Sequence, residues 1–176
     1  MQASNLARRT PVALMLAAVA ALVALALGGW YWFTVHASTA RQAEVAARGA
    51  QVMPFDLART THVFTDQPDG GIQQVVADDP ADSAQIALIR SHLQAEAVKF
   101  QQGDFNDPMA IHGMTMPGLA ELRQGYAQIV VAYAELPDGA QIRYTTSEPT
   151  MITALHTWFA AQRSDHGVHM MDHSGN

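Results

Sequence analysis

The chain has 176 residues, with 16 acidic and 10 basic side chains, eight histidines, nine methionines and no cysteine. Its length suits one domain with some additional segments. The lack of cysteine excludes disulfides, thiolate metal sites, cysteine nucleophiles and lipid-modified cysteine anchors, so any soft metal ligand must be histidine or methionine.

Residues 1–10 hold Arg8 and Arg9 and no acid. From Pro11 to Val35 the chain carries no charge. About 20 consecutive apolar residues are what a helix needs to cross a bilayer, so residues 11–35 are expected to be a transmembrane anchor. Basic residues before the span predict a cytoplasmic amino terminus, and Trp30, Tyr31, Trp32 and Phe33 are placed as an aromatic belt at the outer interface. The competing reading is a cleaved signal peptide. Its apolar region would run only about 7–15 residues, and Val35-His36-Ala37 would be the cleavage site. Every acidic residue follows the span, which leaves the exported part eight charges negative with its histidines neutral. Such a surface repels nucleic acid and anionic lipid and tolerates cations.

Residues 36–55 are rich in Ala, Gln and Arg and read as a linker, a helical continuation or tether rising from the membrane without a strong apolar stripe. The folded domain is expected over residues 56–165. Thr61 to Thr65 reads as a strand, Asp66 to Gly71 as a turn and Ile72 to Val76 as the returning strand. Asp79 or Asp82 caps a helix from about Ser83 to Gln102, with Ile86, Ile89, Leu93, Ala97 and Phe100 as its apolar stripe. Residues 104–117 read as irregular, and residues 118–124 as a short helix. Ile129 to Ala134 is a strand, Leu136 to Gly139 a turn, and Ile142 to Thr146 a strand. A last helix starts at Ser147-Glu148-Pro149 and fades near Ser164-Asp165.

The two halves repeat. Pro68-Asp69-Gly70 recurs as Pro137-Asp138-Gly139, and His92 falls opposite His156. A unit that cannot bury its own apolar face is completed by a second copy. The expected class is therefore α+β. A duplicated β-β-α unit forms a four-stranded antiparallel sheet with two helices on one face, preceded by the transmembrane helix.

The candidate ligands fall in three groups. In Ile111-His112-Gly113-Met114-Thr115-Met116, residues two apart share one side of an extended chain. His112, Met114 and Met116 would then converge, and imidazole with thioether favours copper, above all Cu(I). His62, His92, His156 and His166 are the next group. If the helices lie side by side, His92 and His156 meet near the pseudo-twofold axis with His112 capping them, a set that also suits zinc or haem iron. The tail, residues 166–176, holds His166, His169, Met170, Met171 and His173, a biased tract expected to be flexible and metal-binding. Each group has a plainer reading: boundary histidines bonded to backbone or carboxylate, methionines as core filler, and an ordinary loose end.

Thr60-Thr61-His62-Val63-Phe64, Ile89-Arg90-Ser91-His92-Leu93, Ile111-His112-Gly113 with Met116-Pro117-Gly118-Leu119, Ala154-Leu155-His156-Thr157-Trp158-Phe159 and Ser164-Asp165-His166-Gly167 resemble a family of small bacterial proteins. Its members often carry the label aspartate carbamoyltransferase. The resemblance covers about Met53 to Gly167. A true carbamoyltransferase needs a phosphate loop at a helix start. The nearest counterpart, Ala58-Arg59-Thr60-Thr61, leads into a strand.

The expected function is non-catalytic: a single-pass protein of the bacterial inner membrane whose periplasmic domain holds a transition metal, copper foremost, through histidine and methionine. It would handle metal or supply a metalloenzyme. One alternative is an accessory subunit of a membrane complex, in which Ala17, Ala21, Ala24 and Gly28 form a small-residue helix face that permits close helix approach. The other is an enzyme of the labelled carbamoyltransferase type.

Overall fold

A computed structural model describes residues 9–166, with side chains from residue 14 onward. The chain divides into two compact units, up to Ala40 and from Arg41. Helix α1 runs Arg9–Val52. Its stretch from Leu14 is long and apolar enough to cross a membrane. In the first unit its large apolar side chains, from Leu14 to Phe33, are exposed on all sides. A helix apolar all round is one whose solvent is lipid or protein rather than water.

The second unit begins earlier than the sequence suggests. Residues 41–52 continue the helix beyond the span, as expected, but they also pack: Val45 is buried at 1% exposure, and Phe55 is in the core of the domain. One buried valine and a glycine contact (a Cβ on Gly49 would meet Leu57) are too few to register as an apolar stripe.

Strands β1 (Thr60–Gln67), β2 (Gly70–Ala77), β3 (Val130–Leu136) and β4 (Gly139–Thr145) form one antiparallel sheet in the order β1-β2-β4-β3. Each hairpin closes through a Pro-Asp pair, with Gln67 opposite Gly70 and Leu136 opposite Gly139. The two hairpins meet along β2 and β4, where Gly70 faces Thr145 and Val76 faces Gly139. The duplication extends to single hydrogen bonds. Ala77 N–H donates to Asp138 O, and Thr146 N–H donates to Asp69 O, both at 2.9 Å. Each turn thus satisfies an N–H at the end of the other half's inner strand.

Helices α2 (Ser83–Gln101) and α5 (Pro149–His166) cover one face of the sheet. They cross over: α2 lies on β4 and β3, and α5 on β1 and β2. The Asp82 side chain caps α2 by accepting from Gln85 N–H, and proline opens α5 where its missing N–H costs nothing. Between the halves, α3 (Asn106–His112) replaces part of the expected irregular stretch, and α4 (Leu119–Gly125) is the short helix expected over residues 118–124. Between helices and sheet lie Phe100, Phe105, Tyr144, Trp158 and Phe159. Trp158 sets its ring edge-to-face with those of Tyr144, at 5.8 Å, and Phe100, at 6.1 Å.

Candidate functional site

One end of this core is not filled by apolar side chains. Five elements, β2 among them through Gln73, each send a polar group to a cavity of about 30 Å³. β1 contributes His62, and α2 contributes His92 and, one turn on, Glu96. α3 supplies Asp107 and His112. α5 supplies Trp158, Gln162 and His166, which recur every fourth residue and so share one helix face. A second cavity of about 60 Å³ is walled by His62 and His166 as well, together with Val45, Thr60 and Asp165. Met53 borders both.

The imidazoles are close. His166 stacks on His62 with ring centres 5.0 Å apart and planes 4° apart, and lies edge-on to His112 at 5.2 Å. Phe55 stands between His62 and His92, with ring centres at 5.9 and 5.7 Å. Burial pushes His62 down to about 4, and the neighbouring His92 and His112 add to the effect. It is therefore neutral near pH 7. Burial also lowers His92 and His112. Neutral imidazoles are the form that binds metal.

His112 is held in one tautomer. Its Nδ1 lies 2.8 Å from Asp165 Oδ2. Burial would raise the Asp165 carboxyl, but hydrogen bonds from Arg41 and His112 outweigh it and hold the group below its ordinary value. The carboxylate is thus the acceptor and Nδ1–H the donor, which leaves Nε2 with its lone pair. Arg41 grips Asp165 with two nitrogens, at 3.0 and 2.7 Å, and also donates to the His112 carbonyl at 2.6 Å. A carboxylate behind an imidazole that fixes tautomer and ring orientation is the usual support of a metal-ligating histidine.

Two carboxyls share the other wall. Burial raises Glu96 to about 7, against the pull of Lys99. Lys99 Nζ lies 2.8 Å from Glu96 and 2.6 Å from Asp107. Asp107 stays below its ordinary value because its bonds with Lys99 and Glu96 outweigh burial. It therefore matches the lysine's charge and lets Glu96 carry a proton close to neutral pH.

Three buried atoms on the cavity's lining residues have no hydrogen-bond partner: His62 Nε2, Trp158 Nε1 and Gln162 Oε1. Leaving such a group unmet costs about 1–3 kcal/mol, so each one asks for a ligand. Among the described residues no three His, Asp or Glu side chains stand ready in a common ligating position.

Of the residues singled out in the sequence, His62, His92, His112 and His166 come together. The His112, Met114 and Met116 set does not. The chain is helical through His112 and turns at Gly113, so the alternation of an extended strand never applies. Met114 is 77% exposed, whereas Met116 is 5% exposed and packs in the core as filler. His156 does not meet His92 either. The crossing of the helices carries it to the β1–β2 turn, where Nε2–H donates to Gln67 O and Gly70 O, each at 3.0 Å. His169, Met170, Met171 and His173 lie outside the described residues. Sequence reasoning passed over Met53 and Gln162, took Glu96 only as a carboxylate partner for His92 as a boundary histidine, and took Trp158 as a core or rim aromatic. The signal for three of them was helical spacing, Glu96 four from His92 and Gln162 and Trp158 four and eight from His166. No family model, curated protein or solved structure matches this chain.

Proposed function

We propose that this protein binds a transition-metal ion, copper foremost, in the imidazole cavity of a domain tethered to the bacterial inner membrane and facing the periplasm. The observation that carries this reading is the meeting of four histidines at one cavity, one with an unpartnered buried nitrogen and one oriented from behind by a carboxylate. Two imidazoles that share an ion at bond lengths of about 2 Å have ring centres no more than about 6 Å apart. The pairs at 5.0 and 5.2 Å meet that limit. His62 and His166 are parallel, so ring rotation about side-chain torsions completes the site. Copper is favoured over zinc by the Met53 thioether on the same wall. The apolar helix supplies the tether, and the acidic exported surface suits a carrier of cations.

Carbamoyl transfer finds no support at this cavity. Its lining holds no arginine, lysine or hydroxyl to take a phosphate or act as nucleophile. The test is metal content and affinity of the full, untagged chain in mild detergent. About one equivalent of copper and a Cu(I) affinity tighter than micromolar are expected, both lost in a His62→Phe, His112→Phe double variant. Absence of bound copper, iron and zinc, with Cu(I) affinity weaker than micromolar, would overturn the proposal.

A further inference from the structure

An ion drawn to the imidazoles satisfies His62 Nε2 but leaves a second need. Trp158 Nε1–H is a donor only, and a cation offers it nothing. Gln162 Oε1 is an acceptor. Both residues are deeply buried, at 1% and 4% exposure. They stand four apart on α5 and line the same cavity as His62. The cavity's 30 Å³ exceeds what one water needs, which is about 10–15 Å³ on the same measure.

We infer that the cavity takes a second, exchangeable occupant beside the imidazoles. It is a water-sized molecule that accepts a hydrogen bond from Trp158 Nε1–H and donates one to Gln162 Oε1. Water fills this place in the metal-free chain. In the loaded chain it completes the coordination of the ion and gives way to a small anion, which keeps the bond from Trp158 Nε1–H and meets Gln162 through its N–H2 once the terminal amide turns. The statement about the ion rests on the metal reading above, whereas the Trp158–Gln162 pocket stands without it. The site is then of the open kind, in which a metal keeps one position for an incoming molecule, rather than the closed kind that serves structure alone.

The test uses the full chain in micelles with ¹⁵N-labelled tryptophan. Trp30 and Trp32 lie in the apolar span, so the Trp158 indole resonance is the one lost in Trp158→Phe. In the metal-free chain a through-space cross-peak between water and the Trp158 indole proton is expected. In the zinc-loaded chain azide should shift that resonance. Trp158→Phe should weaken azide binding about tenfold without altering zinc content, the loss expected for a hydrogen bond to an anion. Should that variant fail to fold, Gln162→Met keeps the volume, removes the acceptor, and should quicken water exchange at the indole severalfold. The pocket is overturned if the metal-free indole shows no water cross-peak, or if Gln162→Met leaves exchange unchanged. Azide affinity unaltered by Trp158→Phe overturns the open position. A chain that takes up no zinc or copper defeats the metal reading, and the metal-free cross-peak still decides the pocket.

Discussion

At the scale of single residues, the histidines separate into ligand and strut, and substitution should tell them apart. His62→Phe removes a buried nitrogen without a partner, so metal-free stability should hold or rise while metal affinity disappears. His156→Phe removes a donor shared by two carbonyls and should cost about 1–2 kcal/mol while leaving metal affinity intact. Metal titration and denaturant melts of the two variants check both statements, and a metal loss in His156→Phe would misplace the site. The buried groups also set an acid response. His62 has an ordinary value of 6.5 and a folded value of about 4. Between those limits the unfolded chain binds a proton that the folded chain refuses, so stability falls on acidification by about 1.4 kcal/mol per pH unit. Glu96 runs the other way. Its ordinary value is 4.5 and its folded value about 7, so the folded chain holds the extra proton and stability rises on acidification through that window. From about pH 6.5 to 4.5 the two slopes cancel, and the lowered His92 and His112 leave a net loss. Glu96→Gln should therefore steepen that loss by about 1.4 kcal/mol per pH unit. Melts of the metal-free chain at several pH values read it directly, and curves parallel to the parent would show that folded Glu96 is not protonated there.

At the scale of elements, the two hairpin glycines carry the joint between the halves. A Cβ on Gly139 would lie 2.0 Å from Val75 O, and one on Gly70, at φ +142°, would lie 2.2 Å from Tyr144 O. Both collisions are with main chain of the other half's inner strand, which has no torsion to swing aside. Gly139→Ala should cost about 3 kcal/mol or more, at or beyond the upper end for overpacking. A loss under 1 kcal/mol would mean the β2–β4 joint yields easily. These turns explain what could be read from the residues alone. Pro-Asp-Gly twice, each between β-branched runs, specified both hairpins and the duplication. The apolar stripe on α2 and the proline at the start of α5 specified the helices. Helix α3 was hidden because seven residues between Gly103 and Gly113 are too few for a helical period to show. That one error misdirected Met114 and Met116, since alternation has meaning only on an extended backbone. Met53 was hidden for a related reason, because it follows a helix that seemed to have nothing to pack against. The histidines at the cavity were visible as candidates. Their grouping depends on which strands each helix crosses, and chain order leaves that open.

At the scale of the whole molecule, the crossing of the helices makes the halves mutually dependent. The helix of the first half covers the strands of the second, and the helix of the second covers the strands of the first. Neither β-β-α unit alone would lay its helix on its own hairpin in the arrangement seen. Each would expose the apolar face that its partner now covers, and an isolated hairpin is at best marginally stable in water. The cavity inherits the same dependence, since β1 and α2 come from one half, α5 from the other, and α3 from the connection. Cutting the chain between α3 and α4, after Gly113, separates the two units without removing a contact residue. Residues 41–113 and 114–176 made separately should each lack a cooperative unfolding transition and near-ultraviolet circular dichroism. Mixed, they should regain both, with the Trp158 signal reporting reassembly. Metal binding should appear only in the mixture, because His62, His92 and His112 lie on one fragment and Trp158, Gln162 and His166 on the other. A cooperative transition in either fragment alone would show that one unit can close on itself. The duplication would then be two domains side by side rather than one core built twice.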